Sequence, residues 1–389
     1  MTKLSGLFTV GFLTLNLQFA LVTAIAALFF AFSGYLQFLG VNSTTVGFLL
    51  SADGLAALIL QPLIAPLVHL GTARRWLIGG SCLLSAALFL MGHCTSVTLL
   101  TVARLGQGAG FICVLCALVT MMVAVIPPGM SGRAFGWVSL VRLIPYAIVP
   151  LLFDLLSITP AAFGELINLA AVAALLPMAA TLLPATVPVA GVDTATAPGL
   201  LAMAASLRSR AVLMLLLSAL LLLCGYAAVF FFLKQFVEGR GLAHGGLFFT
   251  IATLTMIMVR LGGSWLFDRY DKAVLCAAGL LIVAVSYGLL GLSSVGWAFL
   301  VLAGASGLGW GVAMPLQAAA LFDISEPAAR AMNQNLLMVM MQGGFFLGPF
   351  IGGLLITHFG YGALFTVLAV LTLVSALLML GVKSSTTHA

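Results

Sequence analysis

Charge is what this chain has least of. Only 6% of its 389 residues are Asp, Glu, Lys or Arg, against 63% that are hydrophobic. That scarcity excludes a water-soluble globular domain, which needs far more polar surface to cover it. Carboxylates are the rarer sign, with nine Asp and Glu to fifteen Lys and Arg. No His, Cys, Asp or Glu cluster has metal-ligand spacing, so neither a metal site nor catalysis built on one is expected. A Gly-x-x-x-x-Gly-Lys loop is also missing, which excludes nucleotide hydrolysis as an energy source. No residue set reads as catalytic, and no enzyme is expected. Six cysteines are few and mostly sit inside apolar segments. Cys113 and Cys116 share a helical turn there and read as small core hydrophobes. Met338, Met340 and Met341 read the same way. The net charge of +6 comes from bases scattered singly, with no patch and no interleaved aromatics, so nucleic acid is excluded as a partner.

What the chain has in excess is apolar length. Its mean hydropathy is +1.26, and runs of ~20 apolar residues, enough to cross the hydrocarbon core as a helix, recur almost end to end. Their continuity excludes a β-barrel, which needs short alternating segments. The pattern predicts an all-α membrane fold of twelve transmembrane helices, near 7–31, 45–69, 76–93, 98–122, 131–157, 161–184, 211–235, 243–267, 272–292, 297–322, 331–356 and 361–382. After Lys3 the first run has no cleavage site, and it reads as a span rather than a signal peptide. The longest non-helical stretch, about Pro184–Ser209, divides the spans six and six.

The halves echo each other. Ala65–Leu77, with Arg74 and Arg75 between two spans, is answered 198 residues later (263 − 65) by Gly263–Lys272, with Asp268 and Arg269. Ser131-Gly132-Arg133-Ala134 is answered by Ala328-Ala329-Arg330-Ala331, and the glycines of Gly106–Gly110 by Gly304, Gly307, Gly309 and Gly311. Two pseudo-symmetric six-helix bundles follow: residues 1–184, a cytoplasmic linker over 185–209, and residues 210–389. Such a repeat is the sequence sign of a secondary transporter with its site between the halves. Lys3, Arg74, Arg75, Arg133, Arg208, Arg210, Arg269, Lys272, Arg330 and Lys383 fall on one side of the membrane, and only Lys234 and Arg240 on the other. That bias places both termini in the cytoplasm, in the plasma (inner) membrane.

These motifs resemble the major facilitator superfamily over essentially the whole length. The family's fourth-helix motif, Arg-x-x-Gln-Gly-x-Gly, stands intact as Arg104–Gly110. Its Gly-x-x-x-Gly-Pro-x-x-Gly-Gly motif stands intact as Gly344–Gly353, in the eleventh span rather than in the fifth, where it marks proton-coupled exporters. The hinge motif between the second and third helices is matched loosely, with His69 where the family has aspartate. The resemblance implies alternating access around a cavity lined by the first, fourth, seventh and tenth helices. On those helices Asn16, Gln18, Tyr226, Trp310 and Gln317 are the substrate-binding candidates, although such a residue alone more often serves packing or an interhelical hydrogen bond. His69, Arg74, Arg75, Asp268 and Arg269 read as conformational latches.

Buried charge carries the rest. An arginine at the centre of a span costs ~2.5–3.5 kcal/mol on insertion scales, and this chain keeps Arg104, Arg142 and Arg260 inside spans. Asp53 and Arg104 fall at similar depth, ~12 Å and ~9 Å from the outer side, so they can pair. In the family the fourth-helix arginine takes part in proton transfer, and a carboxylate parted from its arginine in lipid takes up a proton. Coupling and a static packing pair both remain open for Asp53 and Arg104. Arg142, ~16 Å into the fifth span, has no acid at its depth; an anionic ligand or a carbonyl beside Pro145 would satisfy it. Arg104 and Arg260 are further anion contacts, Arg260 alternatively part of the inner gate. The expectation is a monomeric transporter of a small organic anion or zwitterion, proton-coupled, needing no cofactor beyond the gradient and leaning to export. The alternatives are a proton/drug antiporter for amphiphilic cations, an uncoupled uniporter, and last a non-transporting scaffold or sensor.

Overall fold

The computed structural model describes residues 8–126, 131–180, 208–241, 245–262, 270–293, 295–326 and 329–387. Helices follow the apolar runs: α1 (Val10–Phe38), α2 (Ser43–Leu67), α3 (Leu70–His93), α4 (Val97–Val125), α5 (Ser131–Leu155), α6 (Pro160–Ala179), α7 (Arg210–Gly239), α8 (Gly245–Gly262), α9 (Lys272–Leu292) and α10 (Gly296–Ile324). The last helical run, Arg330–Thr387, is broken at Gly360, whose φ of 78° lies in the left-handed region. It therefore makes two spans, α11 (330–359) and α12 (361–387). The described spans thus number twelve, as the hydropathy predicts.

Several ends differ from the sequence expectation. α3 starts at Leu70, not near 76, because the Thr72 hydroxyl donates to Leu67 O (2.9 Å) and accepts from His69 N–H (3.1 Å). This cap turns the chain tightly and puts Arg74 and Arg75 in the first turn of a helix rather than in a loop. α1 runs on through a 3-10 turn at Phe29–Ala31 to Phe38. The boundary expected at Pro184 and the linker over 185–209 lie almost wholly outside the described residues.

The internal repeat is visible as packing. A Cβ on Gly108 of α4 would lie 2.3 Å from Asp53 O on α2, and one on Gly307 of α10 would lie 2.2 Å from Ala252 O on α8. The two positions are 199 residues apart (307 − 108). In each half a helix with a glycine at this point presses backbone to backbone on its neighbour, the close approach that small residues permit. In the N-terminal half that approach brings α4 against the stretch of α2 that carries Asp53.

The helix groups meet at one membrane face and separate towards the other. Where they meet, Ser33 of α1 donates to Phe231 O of α7 (2.5 Å), Thr250 of α8 to Ala147 O of α5 (2.7 Å), and Thr44 of α2 to Thr357 of α11 (2.9 Å). The Asp154 carboxylate accepts from Leu247 N–H at the start of α8 (3.1 Å). Rings fill the rest: Phe30 lies edge-on to Phe249 (5.2 Å) and tilted against Phe230 (6.2 Å). Lys234, counted above as an outer-end charge, turns inward instead, 5.5 Å from both Phe30 and Phe153.

At the same end Gly353 of α11 sits on Gly47 of α2. A Cβ there would lie 2.7 Å from Gly47 Cα and 2.8 Å from Ser43 O, both rigid backbone. Gly353→Leu is therefore expected to hold α2 and α11 apart. Spin labels at positions 44 and 357 would then read a longer distance than in a carrier with Gly353 intact, and an unchanged distance would refute the backbone contact as the seal between α2 and α11.

Candidate functional site

Away from the closed end, the helix groups enclose a cavity of ≈ 400 Å³. Its wall comes from α1 (Ala26, Phe29), α2 (Asp53 down to Pro66), α4 (Gln107 down to Thr120), α5 (Arg142, Tyr146), α7 (Phe230, Phe231) and α11 (Asn335 up to Phe345). The lining reaches the α2 end at Pro66 and the start of α11, so the mouth faces the membrane side where α5, α7 and α11 begin. The resemblance predicts walls from the first, fourth, seventh and tenth helices. α10 contributes nothing to this wall among the described residues, and α2, α5 and α11 take a large part.

Asp53 and Arg104 come together in the wall. Arg104 is completely enclosed, while the Asp53 side chain keeps 31% exposure on the cavity. They form an ion pair. Arg104 Nε donates to Leu49 O (3.0 Å), Nη2 to Leu50 O (2.9 Å) and Nη1 to Gln107 Oε1 (2.6 Å). Its guanidinium also lies over Phe29, 4.6 Å from the ring centre. Three helices thus satisfy one buried cation, as burial of a guanidinium requires. Arg104 faces the cavity only through its partners Asp53 and Gln107.

Arg142 is different. Its side chain lines the cavity and rests 6.0 Å from the Phe19 ring, yet it makes no hydrogen bond and no ion pair among the described residues. The carbonyl freed by Pro145 does not take it. Tyr146, one turn on, lies in the same wall and within electrostatic reach of both Arg142 and Asp53. The sequence reading missed Tyr146. Its position four residues after a span-buried arginine, on the same helix face, was the signal that could have found it.

The remaining candidates lie behind the wall. Tyr226 meets Trp310 edge-on at 4.8 Å and Phe345 at 6.1 Å. Trp310 is enclosed and donates to Tyr287 Oη (3.2 Å). Gln317 donates to Ser218 (3.0 Å), which is bonded in turn to Ser375 (2.8 Å), tying α7, α10 and α12 together. Asn16 is buried and donates to Phe12 O of its own helix (2.8 Å). Gln18 is buried with no partner for Oε1. Arg260 has a buried Nε without a partner and lies within electrostatic reach of Tyr226 and Arg142. His69, Arg74 and Arg75 are exposed at the hinge. Asp268 and Arg269 lie outside the described residues.

Twelve apolar helices in two echoing groups, closed at one face around a largely apolar cavity with a few polar and charged groups, open at the other, define a multi-pass membrane transporter. The sequence profile of the Major Facilitator Superfamily matches residues 14–294 and 243–388, and the chain belongs to that family. No curated protein sequence matches it significantly. Among solved structures it is similar in fold to the nucleoside transporter NupG (16% identity, 96% of this chain and 99% of that one, TM-score 0.75). It is similar also to a POT family transporter in complex with a thioalcohol-conjugated peptide (14%, 95% and 95%, 0.77). A third similar fold is the human organic anion transporter MFSD10 (15%, 95% and 98%, 0.69).

Proposed function

We propose that this transporter carries a small organic anion or zwitterion by alternating access, with a proton handled at Asp53 and export the working direction. The observation that carries the reading is Arg142, a cavity-facing guanidinium with no hydrogen-bond or ion-pair partner among the described residues. Of the chain's nine acids, Asp193 and Asp268 lie outside the described residues. Of the other seven only Asp53 reaches the cavity, and Arg104 already holds it. A guanidinium left this way binds a carboxylate or phosphate bidentately. With the termini in the cytoplasm, as the Lys and Arg bias directs, the cavity is open inward. Substrate enters there from the cytoplasm, which fits export from the plasma (inner) membrane by a monomer. The human organic anion transporter of similar fold is consistent with the substrate charge.

Efflux of amphiphilic cations is the competing reading, favoured by the rings and methionines of the wall, among them Phe111, Phe345, Met338 and Met341. Among the described residues the wall offers it no uncommitted acid to receive the cation.

Proteoliposomes with an internal pH dye test the proposal against a panel of organic anions, zwitterions and cationic drugs. Proton movement driven by an anion or zwitterion, and lost in Asp53→Asn, is the expected result. Substrate flux without proton movement would remove the coupling, and a response confined to cationic drugs would overturn the substrate charge.

A further inference from the structure

Two polar groups on one face of α5 stand uncommitted in the cavity wall. Arg142 and Tyr146 are four residues apart (146 − 142), and both line the cavity. At that spacing their Cβ atoms are about 5–6 Å apart on the same side of the helix. Among the described residues neither the guanidinium nor the Tyr146 hydroxyl has a hydrogen-bond partner. Phe230 of α7 lies edge-on to the Tyr146 ring, 5.6 Å away, which fixes the ring and leaves its O–H free. Tyr146 adjoins Ala147, whose carbonyl accepts the Thr250 hydroxyl in the seal. The phenol therefore belongs to the sealed end, and Arg142 lies one turn, ~6 Å, nearer the mouth. Asp53 and Arg142 are the only charged side chains in the described wall, and Asp53 is paired with the enclosed Arg104. The wall thus has one positive charge to offer. Most of what surrounds it is apolar. Phe111 of α4 and Phe345 of α11 are followed, one turn nearer the mouth, by Leu115 and Met341.

We propose that Tyr146 is a substrate ligand beside Arg142, and that the substrate is a monocarboxylate with an apolar body. This rests on the anion reading above and deepens it. A carboxylate offers about four lone-pair sites. Arg142 takes two of them side-on, and the Tyr146 O–H donates to a third. One negative charge on the substrate matches the one uncommitted cation. A second carboxylate would be left among rings and aliphatic side chains, where an unpaired charge is costly. An ammonium meets the same difficulty, because Asp53 is already held. The body then lies against Phe111, Phe345, Leu115 and Met341, whose thioether adapts to differing shapes. Head and body are read by different helices: α5 takes the charge, while α4 and α11 take the bulk.

Proteoliposomes holding the full chain test this with labelled benzoate and octanoate. Acetate serves as a head without a body, succinate as a body with a second charge, and benzamide as a body without a charge. Benzoate and octanoate are expected to half-saturate the carrier at concentrations at least ~10-fold below acetate, the scale of burying a side-chain-sized apolar group. Succinate and benzamide should not compete with them. Tyr146→Phe keeps the ring against Phe230 and removes only the O–H. It is expected to raise half-saturation for benzoate by about 10-fold, the worth of a hydrogen bond to a charged group, with the maximal rate and the melting temperature unchanged. A tyrosine that served packing alone would leave half-saturation where it was, and that result removes Tyr146 from the site. A lowered melting temperature assigns its hydroxyl to the fold instead. Succinate carried as well as benzoate, or acetate as well as octanoate, overturns the substrate class and leaves the anion reading standing. Benzoate flux indifferent to Arg142→Ala removes both, as does failure of every carboxylate to move.

Discussion

Arg142→Ala is expected to lower organic-anion transport by at least about 100-fold, since a bidentate charge-assisted contact is worth a few kcal/mol, while leaving the protein as stable as before. The second half of that expectation follows from what Arg142 lacks. Among the described residues its side chain has no hydrogen bond and no ion pair to lose, and removing an uncompensated charge from a membrane interior offsets the loss of its 6.0 Å approach to the Phe19 ring. Its thermal unfolding in detergent should therefore match that of the unsubstituted carrier or run higher. The check is paired: flux in proteoliposomes, and a melt of the same preparation. A variant that melts early would assign Arg142 to the fold, and one that transports anions normally would remove it from the site.

The second large effect belongs to Asp53, and here stability and function part in the opposite way. Arg104 is fully enclosed, and Asp53 is its only acid among the described residues. Truncation by Asp53→Ala leaves a buried cation uncompensated and should cost about 3 kcal/mol, the scale measured when one partner of a buried pair is removed. Asp53→Asn keeps an acceptor for Arg104 and should cost less, yet it removes the group that takes a proton. The pair has two readings, and the double variant Asp53→Asn/Arg104→Gln separates them. If the pair only fixes packing, the double variant recovers both stability and proton-linked flux. If Asp53 loads a proton when it is parted from Arg104, stability recovers and substrate moves without protons. The sign with pH is set by the same geometry. Proton-linked flux needs Asp53 to be protonated in one state and ionised in the other, so it should fail at an alkaline extreme, where no proton is taken up. In Asp53→Asn the residual flux should be flat with pH.

The spans were legible because lipid permits so few backbone solutions: a run of apolar residues has to be a helix. Their ends were less so. The start of α3 depends on the Thr72 hydroxyl, a single polar group among apolar neighbours, and hydropathy cannot weigh one hydrogen bond. The break at Gly360 falls in the gap the hydropathy left between the eleventh and twelfth runs, though nothing in the sequence reading singled that glycine out. Within the site, the Asp53–Arg104 pair was readable from similar depth on the second and fourth spans. The isolation of Arg142 was readable from the absence of any acid at its depth. The roles of Trp310 and Gln317 were not readable. Depth along a helix says how far in a residue lies, while its bearing around the axis decides whether it meets the cavity or the helix behind. On α10 the apolar residues run all the way round, so no stripe marks which face turns inward. Tyr146 shows the converse, since its bearing follows from Arg142 one turn away.

The closed face has a thermal consequence. Phe30, Phe230, Phe249 and the aromatic seat of Lys234 are dry there, and opening that face wets them. Newly wetted apolar surface raises heat capacity and weakens as a driving force on cooling. The balance between the two access states should therefore bend with temperature rather than follow a straight van't Hoff line, and cold should favour the state in which this face is open. A carrier sealed mainly by ion pairs would lack that curvature. Here the number of phenylalanines at one end of the helices sets how the cycle responds to temperature, independently of the chemistry at its centre.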